Sequence, residues 1–350
     1  MGTLVSLLIL SFLIFFHELG HFSIAKFFGV KVEVFSIGFG KKLLCKFYKG
    51  TNYCLSAIPL GGYVQMKGQD DLNPSKVSHD KDSYNAKTPY QRIAILFAGP
   101  FFNFLLAFFL YIAIGNIGVY KLTPEIGKVF PNSAAYKAEL QKGDKIISIN
   151  GIKIESWDDI KSIIENSNDK LIIIIKRKNR LIKKAIVPKI EKTKNIFGED
   201  VKRKLIGILP SGKSYIKKYT FFKSISFAFS ETIKASKFII VGIEKMVEGV
   251  VPTKEIGGVI SIVKVTSQAA SSGLVALLGL TALISVNLGI LNLLPIPALD
   301  GGHIMFNIYE IITKRAPGAK TFERLTYAGW AILLSLMIFS TYNDLIRIFS

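Results

Sequence analysis

The sequence predicts a polytopic α-helical membrane protein: about four transmembrane helices, a membrane-associated β-hairpin region and one extracytoplasmic α+β domain. Three observations predict it. Half of the 350 residues are hydrophobic while 20% are charged, with a mean hydropathy of +0.38, so the two kinds of residue must be segregated along the chain. They are: Ile93 to Tyr120 has no charged residue over 28 positions, Thr266 to Leu299 none over 34 and Leu325 to Asn343 none over 19. Crossing a bilayer takes roughly 20 apolar residues. Third, a polar stretch of domain size, 121 to about 218, alternates as strands do.

The first segment, 1–28, is apolar at both ends but carries His17, Glu18, His21 and Lys26. It lacks a basic leader and a small-x-small cleavage site, so it reads as a retained spanning helix, about 3–27. Residues 29–92 form a β-rich, re-entrant region and loop. Runs such as Lys31 to Ile37 and Tyr53 to Ile58 alternate, punctuated by Gly38, Gly40, Gly61 and Gly62. The polar loop from Lys67 to Thr88 includes His79, which reads as solvated. A second span follows at 93–118, then the α+β insert at 119–218, whose one helical pattern is Trp157 to Asn166.

Residues 219–275 are an amphipathic linker region. Phe222, Ile225, Phe229 and Ile233 fall at helical spacing, as in a helix lying at the membrane surface or packing on the insert. The third span, 276–303 with its apolar core at about 276–298, contains Pro295 and Pro297. A loop at 304–325 leads to the fourth span within 326–350, about 326–344. Basic residues in the short connections place 29–92 and 304–325 in the cytoplasm: Lys41, Lys42, Lys46, Lys49, Lys87 and Arg92 in one, Lys314, Arg315, Lys320 and Arg324 in the other. Four spans then put the termini and the 121–275 region outside.

The net charge of +20 fits attraction to anionic lipid head groups; a solvated Lys-rich surface is the plainer reading. No nucleic-acid-binding motif is present, so nucleic acid is not an expected partner. The two cysteines, Cys45 and Cys54, are either a bridge or ordinary thiols, and neither fits a Cys-type zinc site.

His17-Glu18-Leu19-Gly20-His21 is HExxH. Positions i and i+4 share a helix face, so both imidazoles can reach one ion, with Glu18 placed to hold a water. Ionisable groups inside an apolar helix are costly unless something compensates them, and a dication does. A catalytic zinc takes three protein ligands and keeps one open position. Asp300 fits best as the third: it ends the 34-residue charge-free run, where the prolines break the helix, and broken backbone at membrane depth lines a cavity or is buried in protein. Taken alone, Asp300 could equally cap a helix. His303, three residues on, is a rival donor that reads as a bystander.

His17 to His21, together with Asn287 to His303 (NLGILNLLPIPALDGGH), resemble the site-2 protease family, in its bacterial RseP/RasP branch. Ala98 to Asn103, Gly61 to Val64 and the run from Gly257 look like family segments too, although the last has Val259 where the family usually has Pro. Leu140 to Gly151 resembles part of a circularly permuted PDZ domain, which would make the insert one extracytoplasmic PDZ-like domain. The resemblance covers nearly the whole chain. It implies one Zn2+ per chain, held by His17, His21 and Asp300, with Glu18 as catalytic acid/base. It implies substrate handling by Asn287 and Asn292 and a location in the bacterial cytoplasmic (inner) membrane. The implied activity is regulated intramembrane proteolysis of single-span proteins, of the anti-sigma factor or remnant signal peptide type, after trimming by another protease. Two regions are expected to hold the substrate: a strand edge at Gly61, Gly62 and Tyr63, and a groove walled by Leu205, Ile206, Gly207 and Ile208. The competing readings are a membrane-anchored zincin that cleaves proteins outside the bilayer, and a non-enzymatic metal-binding scaffold.

Overall fold

A computed structural model describes residues 2–69, 78, 80–167 and 170–349; His79 lies outside the described residues. In chain order the elements are α1 (Gly2–Phe27), β1 (Val32–Tyr48), β2 (Thr51–Met66), α2 (Pro89–Ile117), β3 (Val119–Leu122), β4 (Ile126–Val129), α3 (Ala134–Lys137), β5 (Lys145–Ile149), β6 (Ile152–Lys153), α4 (Trp157–Asn166), β7 (Leu171–Arg177), β8 (Arg180–Ile186), β9 (Lys189–Lys194), β10 (Asp200–Leu205), β11 (Ile208–Pro210), β12 (Ser214–Lys217), α5 (Phe221–Val247), α6 (Val259–Ser271), α7 (Leu274–Asn292), α8 (Asp300–Thr313) and α9 (Ala319–Phe349). They form two compact units: 1–114 with 221–350, and 115–220.

Among the described residues of the helical unit, four helices are long and apolar enough to cross a membrane: α1, α2, α7 and most of α9. Their burial is inverted relative to a soluble bundle. In α1 the buried residues are Ser6, Leu13, His17, Gly20, His21 and Ala25, whereas Leu4, Leu8 and Phe12 are exposed. Apart from Leu13, the buried residues of α1 are small or polar, while these large apolar ones face outward, as lipid allows. The expected third span, 276–303, is two helices. α7 stops at Asn292 and α8 starts at Asp300, because Pro295 and Pro297 have no N–H to carry a helix through the interval.

The β region is a bent hairpin. Val34 to Ile37 lies beside Asn52 to Leu55 on one side and beside Gly62 to Gln65 on the other, while Cys45 faces Cys54 at the outer end. These two cysteines are bridged. The Gly62–Met66 segment has no further strand partner among the described residues, so it is a sheet edge. The following loop is pinned by Lys67, which pairs with Asp80 at 2.8 Å and Asp82 at 2.7 Å. Hydrogen bonds to these two carboxylates raise the Lys67 ammonium above its ordinary pKa.

The amphipathic linker contains two helices, α5 and α6. α5 belongs to the helical unit, where Ala235 shares a core with Ala107 of α2 and Ala282, Val286 and Ile290 of α7. α6 packs along α1, with the Ser6 hydroxyl donating to the Val263 carbonyl at 3.3 Å.

The second unit is a small α+β body. β6-β5-β7-β8 form one sheet, and β3 with β12, β4 with β11 and β9 with β10 form pairs. Its core is aliphatic: Ile126, Ile146, Ile149, Leu171, Ile173 and Ile175 are fully buried. α4 spans the residues that the sequence pattern predicts. Ser156 and Asp159 close a capping box at its N-terminus, and Ile160 and Ile164 pack inward.

Candidate metal centre

The site begins with a close approach of two helices. In α1, His17 and His21 lie one turn apart and are both buried. α2 passes over them with glycine on both sides of the contact. A Cβ on Gly20 would sit 2.3 Å from the Ala98 carbonyl oxygen, and one on Gly99 would sit 2.3 Å from His21 Nε2 and 2.8 Å from His17 Cε1. The HExxH glycine and the glycine of the Ala98–Asn103 segment are therefore one steric device, split between two helices.

Asp300 arrives from the break between α7 and α8. It is the first residue of α8, and the two glycines behind it are needed for packing. A Cβ on Gly301 would lie 2.3 Å from the Leu293 carbonyl oxygen, and one on Gly302 would lie 2.2 Å from that of Ile296. The start of α8 is thus seated on the preceding turn, and this fixes where the carboxylate points.

The ligating atoms of His17, His21 and Asp300 lie within 4.8 Å of one another. His17 Nε2 is 3.2 Å from His21 Nε2. Asp300 Oδ2 is 3.2 Å from His17 Nε2 and 3.5 Å from His21 Nε2. A tetrahedral zinc with bonds of about 2.0–2.1 Å spaces its ligands about 3.3–3.4 Å apart. The donor set and its spacing fit zinc, and no other described His, Cys, Asp or Glu joins the group.

A cavity of about 360 Å³ opens beside these atoms. Glu18 lines it together with Gly61, Gly62, Tyr63, Asn103, Asn292 and Trp330. Glu18 faces the sheet edge: a Cβ on Gly62 would come within 3.6 Å of its Cγ. Asn292 Nδ2 is 3.4 Å from His17 Nε2. Asn287 is not among the residues lining the cavity. His303 is not in the metal group; its ring packs against Phe306 and Phe322.

Behind the ligating atoms, α2 holds the far side of each imidazole. His21 Nδ1 is 2.8 Å from the Ile95 carbonyl oxygen, and His17 Nδ1 is 3.2 Å from Asn103 Nδ2. The sequence reading assigned Asn103 no role. Its signal was an amide inside the charge-free run from Ile93 to Tyr120, where a polar side chain needs a partner.

In the second unit, Leu205, Ile206, Gly207 and Ile208 line a groove of about 700 Å³ with Phe130, Ser133, Trp157, Ile160 and Ile164. They are not one continuous strand. β10 ends at Leu205 and β11 begins at Ile208, with Gly207 between them at φ +81° and its Cβ position 2.2 Å from the Ser133 Cβ. Only glycine meets both conditions. The Ile206 and Gly207 carbonyls accept from the Ala135 and Phe130 amides.

Comparison with known proteins points to a zinc enzyme family. Residues 5–336 match the model of Peptidase family M50. A Campylobacter jejuni protein named "Putative zinc metalloprotease" is 54% identical over 99% of this chain and 93% of its own length. A Helicobacter pylori relative of the same description is 42% identical over 99% of both chains. One from Clostridium acetobutylicum is 36% identical over 98% of this chain and 96% of its own. With HExxH and Asp300 converging among apolar helices and the family match running through nearly the whole chain, this protein belongs to Peptidase family M50, the site-2 protease family of membrane zinc metalloproteases.

Proposed function

We propose that this protein is an intramembrane endopeptidase that cuts single-span membrane proteins in regulated proteolysis. The observation that carries the reading is the convergence of His17, His21 and Asp300 on a cavity whose wall includes Gly61, Gly62 and Tyr63, at a strand edge without a further strand partner among the described residues. In this reading the three side chains would hold one zinc beside the cavity. Zinc, when bound, polarises a carbonyl and lowers the pKa of water toward about 7. Glu18 takes the proton of the attacking water on its carboxylate and passes it to the leaving amine. The Asn292 amide donates to the scissile carbonyl oxygen as negative charge builds there.

A substrate helix must first unwind, because its carbonyls are already hydrogen-bonded. The Gly62–Met66 edge offers backbone partners for an extended segment directly beside Glu18. Proline at Gly62 would push into the Ser36 carbonyl, already 2.7 Å from a Cβ there, and would disrupt the strand that forms the edge. Gly62→Pro is therefore expected to abolish cleavage of a transmembrane substrate while zinc content stays at wild-type level. Unimpaired cleavage would refute the strand-addition reading.

The second unit is read as a PDZ-like domain whose Leu205–Ile208 wall takes a free carboxyl terminus onto backbone N–H groups. It would admit substrates already trimmed by another protease. Deletion of residues 121–215 should then broaden the range of membrane proteins cleaved and leave the rate on a pre-trimmed substrate near wild type. Loss of all cleavage in folded, zinc-loaded protein would show that the unit does more than select. The basic residues of 29–92 and 304–325 support the bacterial cytoplasmic membrane as the site, with this unit on the outer side.

The substrate class is tested by comparing membrane peptides in cells carrying the wild type or Glu18→Gln. Membrane stubs that accumulate only with the variant are its substrates. Anti-sigma fragments and remnant signal peptides differ in sequence, so the same comparison separates them. No accumulated membrane-spanning peptide would overturn the intramembrane reading.

A further inference from the structure

We propose that Asn103 is the positioning residue for His17: its side-chain oxygen accepts the Nδ1 proton and so presents Nε2, unprotonated, to zinc. The inference rests on the zinc reading of the same three donors and concerns what holds them in place.

The argument starts from the two imidazoles. In both, Nε2 faces the other donors, at 3.2 Å from each other and 3.2 and 3.5 Å from Asp300 Oδ2. A neutral imidazole that gives Nε2 to a metal carries its proton on Nδ1, and that N–H needs an acceptor. For His21 the acceptor is the Ile95 carbonyl at 2.8 Å. For His17 the group at that place is the Asn103 amide at 3.2 Å. An amide offers an oxygen or an NH2, and the two are interchanged by a half-turn of the side chain. With Nδ2 facing His17, Oδ1 is buried without any hydrogen-bond partner. Only the turned amide, with the oxygen toward Nδ1, has the polarity that zinc on Nε2 requires.

The placement is built into α2. Ile95, Gly99 and Asn103 stand at intervals of four, so they share one helix face. The first holds His21, the second leaves room for both rings, and the third holds His17. Asn103 is itself fixed: it is fully buried, and its carbonyl accepts from the Ser285 hydroxyl of α7 at 2.8 Å. A neutral amide orients the ring without adding charge to a centre that already contains Asp300.

The test uses full-length protein in detergent, with zinc affinity read by competition with a chelator. Asn103→Leu removes the acceptor at similar volume. It should weaken zinc 10- to 100-fold, the usual effect of losing such an orienting partner. Asn103→Asp keeps an oxygen and deletes the NH2, and should bind zinc at least as tightly as wild type. The two variants separate the proposal from a packing role, which would make them alike. If Asn103→Asp loses affinity tenfold or more, an acceptor oxygen at that place does not suffice, and the proposal falls whatever the Leu variant does. Wild-type affinity in a folded Leu variant would also overturn it. The zinc-independent melting temperature reports whether either variant is folded.

Discussion

Glu18→Gln should keep about one zinc per chain and slow cleavage of a membrane-spanning substrate by about 10²–10⁴-fold or more. Glutamine has the shape of glutamate and keeps an oxygen toward the cavity. It cannot carry a proton from water to the departing amine. Glu18 is not among the three converging donors, so its replacement should spare the metal. Measuring zinc by elemental analysis beside cleavage of a reconstituted substrate separates the outcomes. Retained zinc with lost cleavage identifies Glu18 as the proton carrier. Lost zinc would make it part of the binding site instead, and undiminished cleavage would exclude it from the chemistry. A scaffold that merely binds metal predicts no cleavage by the wild type either.

Gly99→Ala should abolish zinc binding although it removes no ligand and adds a single methyl group. That methyl would lie 2.3 Å from His21 Nε2 and 2.8 Å from His17 Cε1, where neither ring can recede without leaving the metal. Overpacking of this kind costs about 1–3 kcal/mol when surroundings yield. Here the yielding groups are the ligands. Gly242→Ala is the control: it lies in α5, a Cβ there meets nothing within 4 Å, and exchange in a helix interior should stabilise by roughly 0.5–1 kcal/mol. Zinc content of the two purified variants decides the matter. A Gly99→Ala protein that holds zinc as tightly as wild type would mean that α1 and α2 separate easily, contrary to their close contact.

Much of this centre was legible in the sequence, for reasons that differ from residue to residue. His17 and His21 follow from helical spacing alone. Asp300 was legible as a charge at the end of an apolar run and from the family resemblance of Asn287 to His303. Its approach to the histidines depends on the turn from Leu293 to Leu299 and on glycines that let α8 sit against it, which spacing does not encode. The four apolar helices follow from hydropathy, and α4 from its cap and periodicity. The linker was ambiguous because one apolar face suits a membrane surface as well as a packed protein surface; that Ala235 shares a core with residues of α7 and α2 is not legible from periodicity. The double pairing of Val34 to Ile37 was not legible at all. Alternation reveals a strand but not how many neighbours it has. Asn103 was missed because its meaning lies in the ring nitrogen opposite it, on another helix.

The ligands of the metal centre are nearly 280 residues apart in the chain, and this has a consequence in time. At synthesis rates of about 5–20 residues per second, the ribosome makes His21 roughly 15–60 s before Asp300. The HExxH helix therefore enters the membrane, among other newly inserted helices, long before its third donor has been made. A protease with all its ligands on one local segment could load metal and cut its neighbours during that interval. With the donors divided between His17, His21 and Asp300, the three-donor site can form only after residue 300 has been made.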